Sequence, residues 1–281
     1  MEDYRIQTFL TLCRLMNYRR TAETLSMTQP AVTQHIHYLE AAYGCKLFTY
    51  QNRILQKTEQ CVALERHALS TLYNERTFLQ RLRQPQTLSL SVGATKTIGD
   101  YMLEGKVLEL LNREDVRLNL IIDNTEHLLE RLNALELDVL MIEGYMDKNL
   151  YGHRPIKEEE LVGICAPEHP FAHRTVTMED LLPQHILIRE EGSGTLAVLE
   201  SFLKAHGYTT SSFSRCSRIS SFKLIESAVA ANCGISFVYE SVFHSSRRLA
   251  SFRVEGGPIR HEFNFVFLPG TNVEPCLELL C

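Results

Sequence analysis

The apolar pattern opens with a helical stripe. Ile6, Phe9, Leu10, Cys13 and Met16 recur three or four apart, so residues 3–16 read as an amphipathic helix. Ala22 and Leu25 give a second helix a small and a large contact, and Ser26 to Thr28 then breaks the pattern with short polar groups. Thr28 is placed to cap a third helix, and Pro30 falls in its first turn, where a missing N–H costs nothing. There Val32, Ile36 and Leu39 share one face, while Gln29, Thr33, Gln34 and His37 cover much of the rest. Gly44 ends that helix, Leu47 and Phe48 anchor the next segment, and Tyr50 to Lys57 reads as a hairpin turning near Asn52. Thr58 caps a long helix from Glu59 to Gln84, which contains neither Pro nor Gly. Its apolar positions, including Leu64, Leu69, Leu72, Phe78, Leu79 and Leu82, spread over more than one edge, so it needs a partner.

At Pro85 the pattern changes to alternating strands and helices. Leu88–Gly93, Arg117–Ile122 and Asp138–Ile142 read as strands, with helices at Tyr101–Leu111 and Thr125–Leu135 between them. This repeated order predicts a largely parallel sheet. Strands are also expected at Leu161–Ala166, His185–Arg189, Gly234–Tyr239, Leu249–Val254 and Glu262–Leu268. Helices are expected at Met178–Leu182, Leu196–His206 and Ser221–Ala231. Leu161–Ala166 and Glu262–Leu268 are the two expected crossings between lobes. Pro275 and the short tail leave room for only a brief final helix.

A chain of 281 residues suggests more than one core. Its composition, 44% hydrophobic and 22% charged, is that of an ordinary globular protein. No apolar run is long enough to span a membrane, and MEDYRIQTF has no signal-peptide pattern, so a cytoplasmic location without membrane partners is expected. Charge is uneven: residues 1–84 carry eleven Lys/Arg against seven Asp/Glu, and residues 85–281 carry 18 against 27. The basic part coincides with the capped helix pair, and nucleic acid attracts positive charge. Eight dispersed cysteines form no CxxC pair and no metal cluster with His, so free thiols are expected, with no metal and no cofactor.

A short polar helix with Gln and Thr suits DNA, because Gln bonds adenine in two places and Thr meets a thymine methyl or a phosphate. An ordinary surface helix pair is the bland alternative; cap, proline and apolar spacing together favour the reader. Ala22, Leu25, Thr28-Gln29-Pro30-Ala31-Val32-Thr33, Leu39-Glu40, Gly44, Leu47, Phe48, Arg53 and Thr58 resemble the winged helix-turn-helix of the LysR-type transcriptional regulators. Departures are Tyr50, where members commonly have Arg, Lys57, where they often have Leu, and Cys61, where they often have Gly.

The resemblance implies a winged helix-turn-helix at 1–58, a dimerisation helix at 59–84 and a two-lobed, periplasmic-binding-protein-like α/β effector domain at 85–281. Lobe I would span about 87–161 and 267–281, and lobe II about 162–266. It implies a homodimer assembling to a homotetramer on an imperfectly palindromic promoter site in double-stranded DNA, with RNA polymerase as a further partner. Gln29, Thr33, Gln34 and His37 are the expected base-edge contacts, with Thr28 and Pro30 shaping the helix start. Arg19, Arg20 and Arg53 are the expected phosphate contacts.

Ligands of parallel sheets bind beyond the carboxyl ends of the strands. The segment Gly93–Gly99 lies at such an end and supplies Thr95, Lys96 and Thr97; a second, Glu190–Thr195, supplies Ser193, Gly194 and Thr195. Glu143-Gly144 adds a third wall. Hydroxyls, free N–H groups and an ammonium suit a small carboxylate or inorganic anion, whereas Glu190-Glu191 would suit an amine or amino acid. Phe222 reads as core. A thiol-based redox sensor is the alternative regulator, with Cys216, flanked by Arg215 and Arg218, ahead of Cys233. An enzyme is the alternative of another class, but GxSxG, a glycine-complete GxGxxG and HExxH are all missing.

Overall fold

The structure, a computed structural model, describes residues 3–84 and 86–281. Met1, Glu2 and the expected boundary residue Pro85 lie outside the described residues. The chain divides into two compact units: the first runs to residue 84 and includes Leu268–Asn272, and the second comprises Gln86–Phe267 and Val273–Cys281.

The first unit contains α1 (Tyr4–Leu15), α2 (Tyr18–Thr24), α3 (Gln29–Tyr43), β1 (Phe48–Gln51), β2 (Ile54–Lys57) and α4 (Glu59–Arg83). Each helix start carries a side-chain cap. Asp3 accepts from Arg5 N–H, Asn17 from Arg20 N–H, Thr28 from Ala31 N–H and Thr58 from Cys61 N–H. Such caps satisfy backbone donors that the helix itself leaves open. Gly44 closes α3 at φ 66°, in the left-handed region where a side chain is disfavoured. The apolar stripes meet in a core of Phe9, Leu12, Cys13, Ile36, Leu39, Leu47, Phe48 and Cys61.

In the second unit β3 (Leu88–Thr95) is followed by α5 (Lys96–Tyr101), α6 (Glu104–Leu111), β4 (Val116–Asp123), α7 (Thr125–Asn133) and β5 (Val139–Ile142). Next come β6 (Gly152–Cys165), β7 (Thr175–Val176), α8 (Met178–Leu181), β8 (His185–Ile188), α9 (Gly194–Ala205) and β9 (Arg215–Arg218). The chain ends with α10 (Phe222–Ala230), β10 (Ser236–Tyr239), α11 (Glu240–Ser245), β11 (Ala250–Val254), β12 (Ile259–Phe267) and α12 (Glu274–Leu280). β3 lies parallel between β4 and β5, as the βα order predicts. The sheet is otherwise mixed: β12 is antiparallel to both β5 and β6, and β10 and β11 are antiparallel to β6.

Three further expectations change. The helix expected at 101–111 starts at Glu104 as α6, and a separate short helix, α5, precedes it over Lys96–Tyr101. The strand expected at 161–166 begins at Gly152, because its charged stretch pairs along β12 and finds cross-strand partners, Arg253 to Glu160 at 2.7 Å and Arg260 to Glu158 at 3.7 Å. β7, β9 and α11 were not anticipated.

Candidate functional site

α3 presents the polar face that its spacing predicts. Val32, Ile36 and Leu39 are buried, whereas Gln29, Pro30, Gln34 and His37 are exposed and Thr33 is half-buried. Thr33 donates to the Gln29 carbonyl at 3.1 Å, an i to i−4 bond that its hydroxyl can leave for a phosphate. Arg19 and Arg20 are exposed on α2, and Arg19 holds Glu23 at 3.0 Å. The hairpin turns on Asn52 and Arg53 with φ of 50° and 64°, so two successive left-handed residues make a tight turn matched to strand twist. Arg53 thus sits exposed at the tip of the wing.

Glu40 has a structural role that its place in the Leu39-Glu40 pair did not reveal. It is buried at the root of the wing, where it accepts from Leu47 N–H at 2.9 Å and from the Lys46 ammonium at 2.7 Å. Desolvation works to raise its pKa, but the bonds from Lys46 and the backbone outweigh it and hold the carboxyl below its ordinary value. The reading helix is thereby tied to the wing.

The second candidate site lies between the two lobes of the second unit, where the predicted loops converge. Thr95 and Thr97, at the end of β3 and start of α5, and Thr195, in the first turn of α9, all surround the Glu143 carboxyl. Thr95 donates to one carboxyl oxygen and Thr195 to the other at 3.4 Å, while the Thr97 and Thr195 hydroxyls are 3.5 Å apart. Thr95, Thr97, Ser193 and Thr195 are all buried. Thr95 and Ser193 stand at helix N-caps without making the side-chain cap bond. For Thr95 the reason is visible: its hydroxyl is given to Glu143.

Gly144 and Gly194 form the tightest part of this seam. A Cβ on Gly144 would stand 2.6 Å from Thr125 Oγ1 and 2.9 Å from Gly194 Cα, and one on Gly194 would stand 2.6 Å from Gly144 Cα. Only glycine lets the end of β5 meet the start of α9 so closely. Thr125 Oγ1 is buried there with no hydrogen-bond partner. A groove of about 480 Å³ runs past this seam, lined by Thr125, Tyr145, Ser193, Gly194, Leu196 and Arg218 among others. A larger hollow of about 620 Å³, between Glu160, Thr175, Arg253 and the Gly256-Gly257 turn, touches none of the predicted ligand residues.

Lys96 crosses between the lobes, to Glu190 at 2.8 Å and the Ser220 carbonyl at 3.2 Å. Glu190 also takes two bonds from Arg189, at 2.7 and 2.9 Å, and Arg189 lies over the Phe222 ring at 4.2 Å. Desolvation opposes ionisation of Glu190, but Arg189 and Lys96 prevail and hold its pKa down at about 2. Phe222 is buried, as expected of core, and serves as the platform for that guanidinium. Glu191 is engaged by Arg218. Arg189 escaped sequence reasoning, since nothing distinguishes an arginine at a strand end from a solvated one.

The thiols divide by burial. Cys216 is exposed on β9, and Cys233 is exposed in the turn after α10. Desolvation raises the Cys216 pKa despite Arg218, the opposite of the activation a sensor thiol requires. Cys13 and Cys61 instead face each other at 3.7 Å between their sulfurs in the core of the first unit, and burial pushes the Cys13 thiol far up. No group of three potential metal ligands occurs among the described residues, and none of their helices is long and apolar enough to cross a membrane.

Comparison with known proteins identifies both parts of the chain by family. Residues 4–61 match the family model described as bacterial regulatory helix-turn-helix protein, lysR family, and residues 83–281 match that of the LysR substrate binding domain. The chain is 25% identical over 279 residues to the HTH-type transcriptional regulator CysL of Bacillus subtilis (strain 168), covering 94% of this chain and 90% of CysL. It is 27% identical over 282 residues to the HTH-type transcriptional regulator CbbR of Rhodospirillum rubrum, covering 98% of this chain and 93% of that one. Among solved structures, a hydrogen-peroxide-bound OxyR mutant of Corynebacterium glutamicum aligns with a TM-score of 0.62 at 23% identity, covering 99% of this chain and 89% of its own. The regulatory domain of CcmR from Synechocystis PCC6803, in complex with 2-PG, aligns with a TM-score of 0.61 at 20% identity, covering 68% of this chain and 95% of its own. With a capped reading helix, a wing and an α/β ligand domain in place, the chain belongs to the LysR family of DNA-binding transcriptional regulators, which are not enzymes.

Proposed function

We propose that this regulator senses a small molecule bearing a carboxylate or similar anionic group, held in the cleft between its lobes. The observation that carries this reading is the unmade cap of the buried Ser193 at the start of α9, beside the seam where Thr95 and Thr97 meet Thr195 around Glu143. The free N–H groups at the start of α9, together with Ser193, form the anion-binding end of the site. Ligand binding alters how the lobes close, because Lys96, Thr97 and Gly144 touch lobe II and parting the lobes would break those contacts. A ligand shifts that balance only as far as it binds the two arrangements unequally.

Copies pair through α4, whose Phe78 and Leu82 are exposed in the single chain. Paired copies place two α3 helices in successive major grooves of an imperfectly palindromic promoter site, about 34 Å apart. Gln29, Thr33, Gln34 and His37 then read bases, and Arg19, Arg20 and Arg53 hold phosphates. A tetramer couples lobe closure to DNA bending in the cytoplasm, and thereby to RNA polymerase at the promoter.

The test is fluorescence anisotropy of the full chain on promoter and random duplexes, with and without small carboxylates and inorganic anions. A ligand-dependent change on the promoter duplex is expected. Gln34→Ala is expected to lower the preference for promoter over random DNA by about 10- to 100-fold, the loss of roughly 1–3 kcal/mol of base discrimination. Equal loss on both duplexes would remove Gln34 from base reading.

A further inference from the structure

Glu143 is fully buried, and its carboxyl is met by threonine hydroxyls and its own backbone N–H, with no cation bonded to it. No Lys or Arg among the described residues reaches it. The nearby cations are committed elsewhere: Lys96 and Arg189 to Glu190, and Arg218 to Glu191. A carboxyl taken out of water without a counter-charge is costly unless something positive or a proton joins it. Burial accordingly raises the Glu143 pKa, with the hydroxyls of Thr95 and Thr97 and the more distant Arg189 only partly offsetting it.

A second buried polar atom lies within range of its charge. The Tyr239 hydroxyl, at the end of β10, is buried and has no hydrogen-bond partner. It lies near enough to Glu143 and Glu159 for their charges, added to burial, to hold its proton in place. Glu159 itself is satisfied by Lys157 and by Ser241. Across the seam, Ser193 leaves its cap bond unmade at the start of a twelve-residue helix, and Thr125 Oγ1 is unpartnered. The seam thus has a buried, acceptor-rich side at Glu143 and Tyr239. On its open side lie Ser193, the first turn of α9 and Arg218, in a groove that Glu126, Glu191 and Glu200 also line.

We infer that the cleft selects a small zwitterion, a primary ammonium bound by Glu143 and Tyr239 and a carboxylate bound at Ser193 and the start of α9. An ammonium carries three N–H donors and the missing positive charge, so it satisfies the Glu143 carboxylate and the orphaned phenol together. A plain carboxylate fills only the α9 end and leaves Glu143 unanswered. Entry requires the Gly144–Gly194 seam to part, on the side where the groove already reaches Thr125 and Ser193. This inference rests on the cleft reading above and adds the chemical class of its ligand.

The test is thermal unfolding of the full chain at fixed pH and ionic strength. Probes are the standard L-α-amino acids, each added singly, together with acetate, propionate, lactate, phosphate and sulfate. Ammonium and potassium chloride serve as inorganic controls. The expected result is that at least one amino acid raises an unfolding midpoint of the full chain by about 3 °C or more, while its counterpart lacking the amine does not. Glu143→Gln should weaken that amino acid at least tenfold. Tyr239→Phe, which removes only the unpartnered hydroxyl, should weaken it several-fold and keeps the test valid if Glu143→Gln does not fold. Carboxylates or inorganic anions acting as well as any amino acid would overturn the zwitterion and leave the cleft reading standing. Potassium or ammonium ion producing the same shift would overturn it in favour of an inorganic cation. No shift from any probe, with promoter binding indifferent to all of them, would overturn both.

Discussion

Two buried glutamates, Glu40 in the DNA-binding unit and Glu143 in the ligand domain, have opposite fates. Glu40 meets an ammonium and a backbone N–H, and its pKa is lowered. Glu143 meets hydroxyls and its own backbone N–H but no ammonium or guanidinium, and burial raises its pKa. The first is a finished joint between helix and wing. The second leaves a charge uncompensated inside the protein, a condition that a ligand or proton relieves. Burial alone therefore does not separate structural from functional carboxyls; the supply of counter-charge does.

The largest expected break in this comparison is Glu143→Gln. A carboxyl whose folded pKa lies above its unfolded value makes the folded state bind the extra proton, so its contribution falls as pH rises above the unfolded pKa of about 4.3. The amide removes that loss, and the ligand domain should gain roughly 1–3 kcal/mol at pH 8, the general scale for relieving an uncompensated buried charge. Urea unfolding at pH 5 and pH 8 measures it; a destabilised variant at pH 8 would show that Glu143 is already satisfied. Glu40→Gln should act with the opposite sign. Its carboxylate contributes stability above the unfolded pKa and loses it as pH falls through the lower folded value. At pH 7 the cost should be about 1 kcal/mol, coming mainly from the charge assistance lost at the Leu47 N–H bond, which the amide oxygen still accepts, because Lys46 is largely exposed and its pair is screened. No change in the acid limb of the unfolding curve would sink this role.

Thr97→Ala is smaller, about 0.5–1 kcal/mol for a lost buried hydroxyl. It should also reduce the response to whichever ligand stabilises the full chain; an unaltered ligand affinity would remove Thr97 from the site. Thiol labelling sharpens the contrast without any energetic effect. In the native protein Cys216, Cys233 and Cys281 should react with a maleimide, and Cys13, Cys61, Cys165 and Cys276 should be protected until unfolding. Rapid native labelling of Cys13 or Cys61 would show that the core of the first unit opens.

Much of the DNA-binding unit was legible because its determinants are local. Thr28, Pro30 and Gly44 mark the ends of α3, and the apolar residues repeat at the helical period. The wing could be read from a turn near Asn52. The ligand domain was legible in its βα order but not in its crossing strands, since the charges of β6 look like a solvated loop until β12 is beside them. Glu143 was read only as part of a wall. Its partners Thr95 and Thr195 lie 48 and 52 positions away, so no local spacing announces the cluster. The Cys13–Cys61 contact, 48 positions apart, was hidden for the same reason.

The glycine pair at the seam has a use beyond natural regulation. A single methyl at Gly144 or Gly194 cannot fit while β5 and α9 touch, so it acts as a wedge whose thickness is set by one carbon atom. Such a variant should hold the lobes apart whatever the supply of ligand. It would turn a chemically controlled gene switch into one whose position is written in the coding sequence.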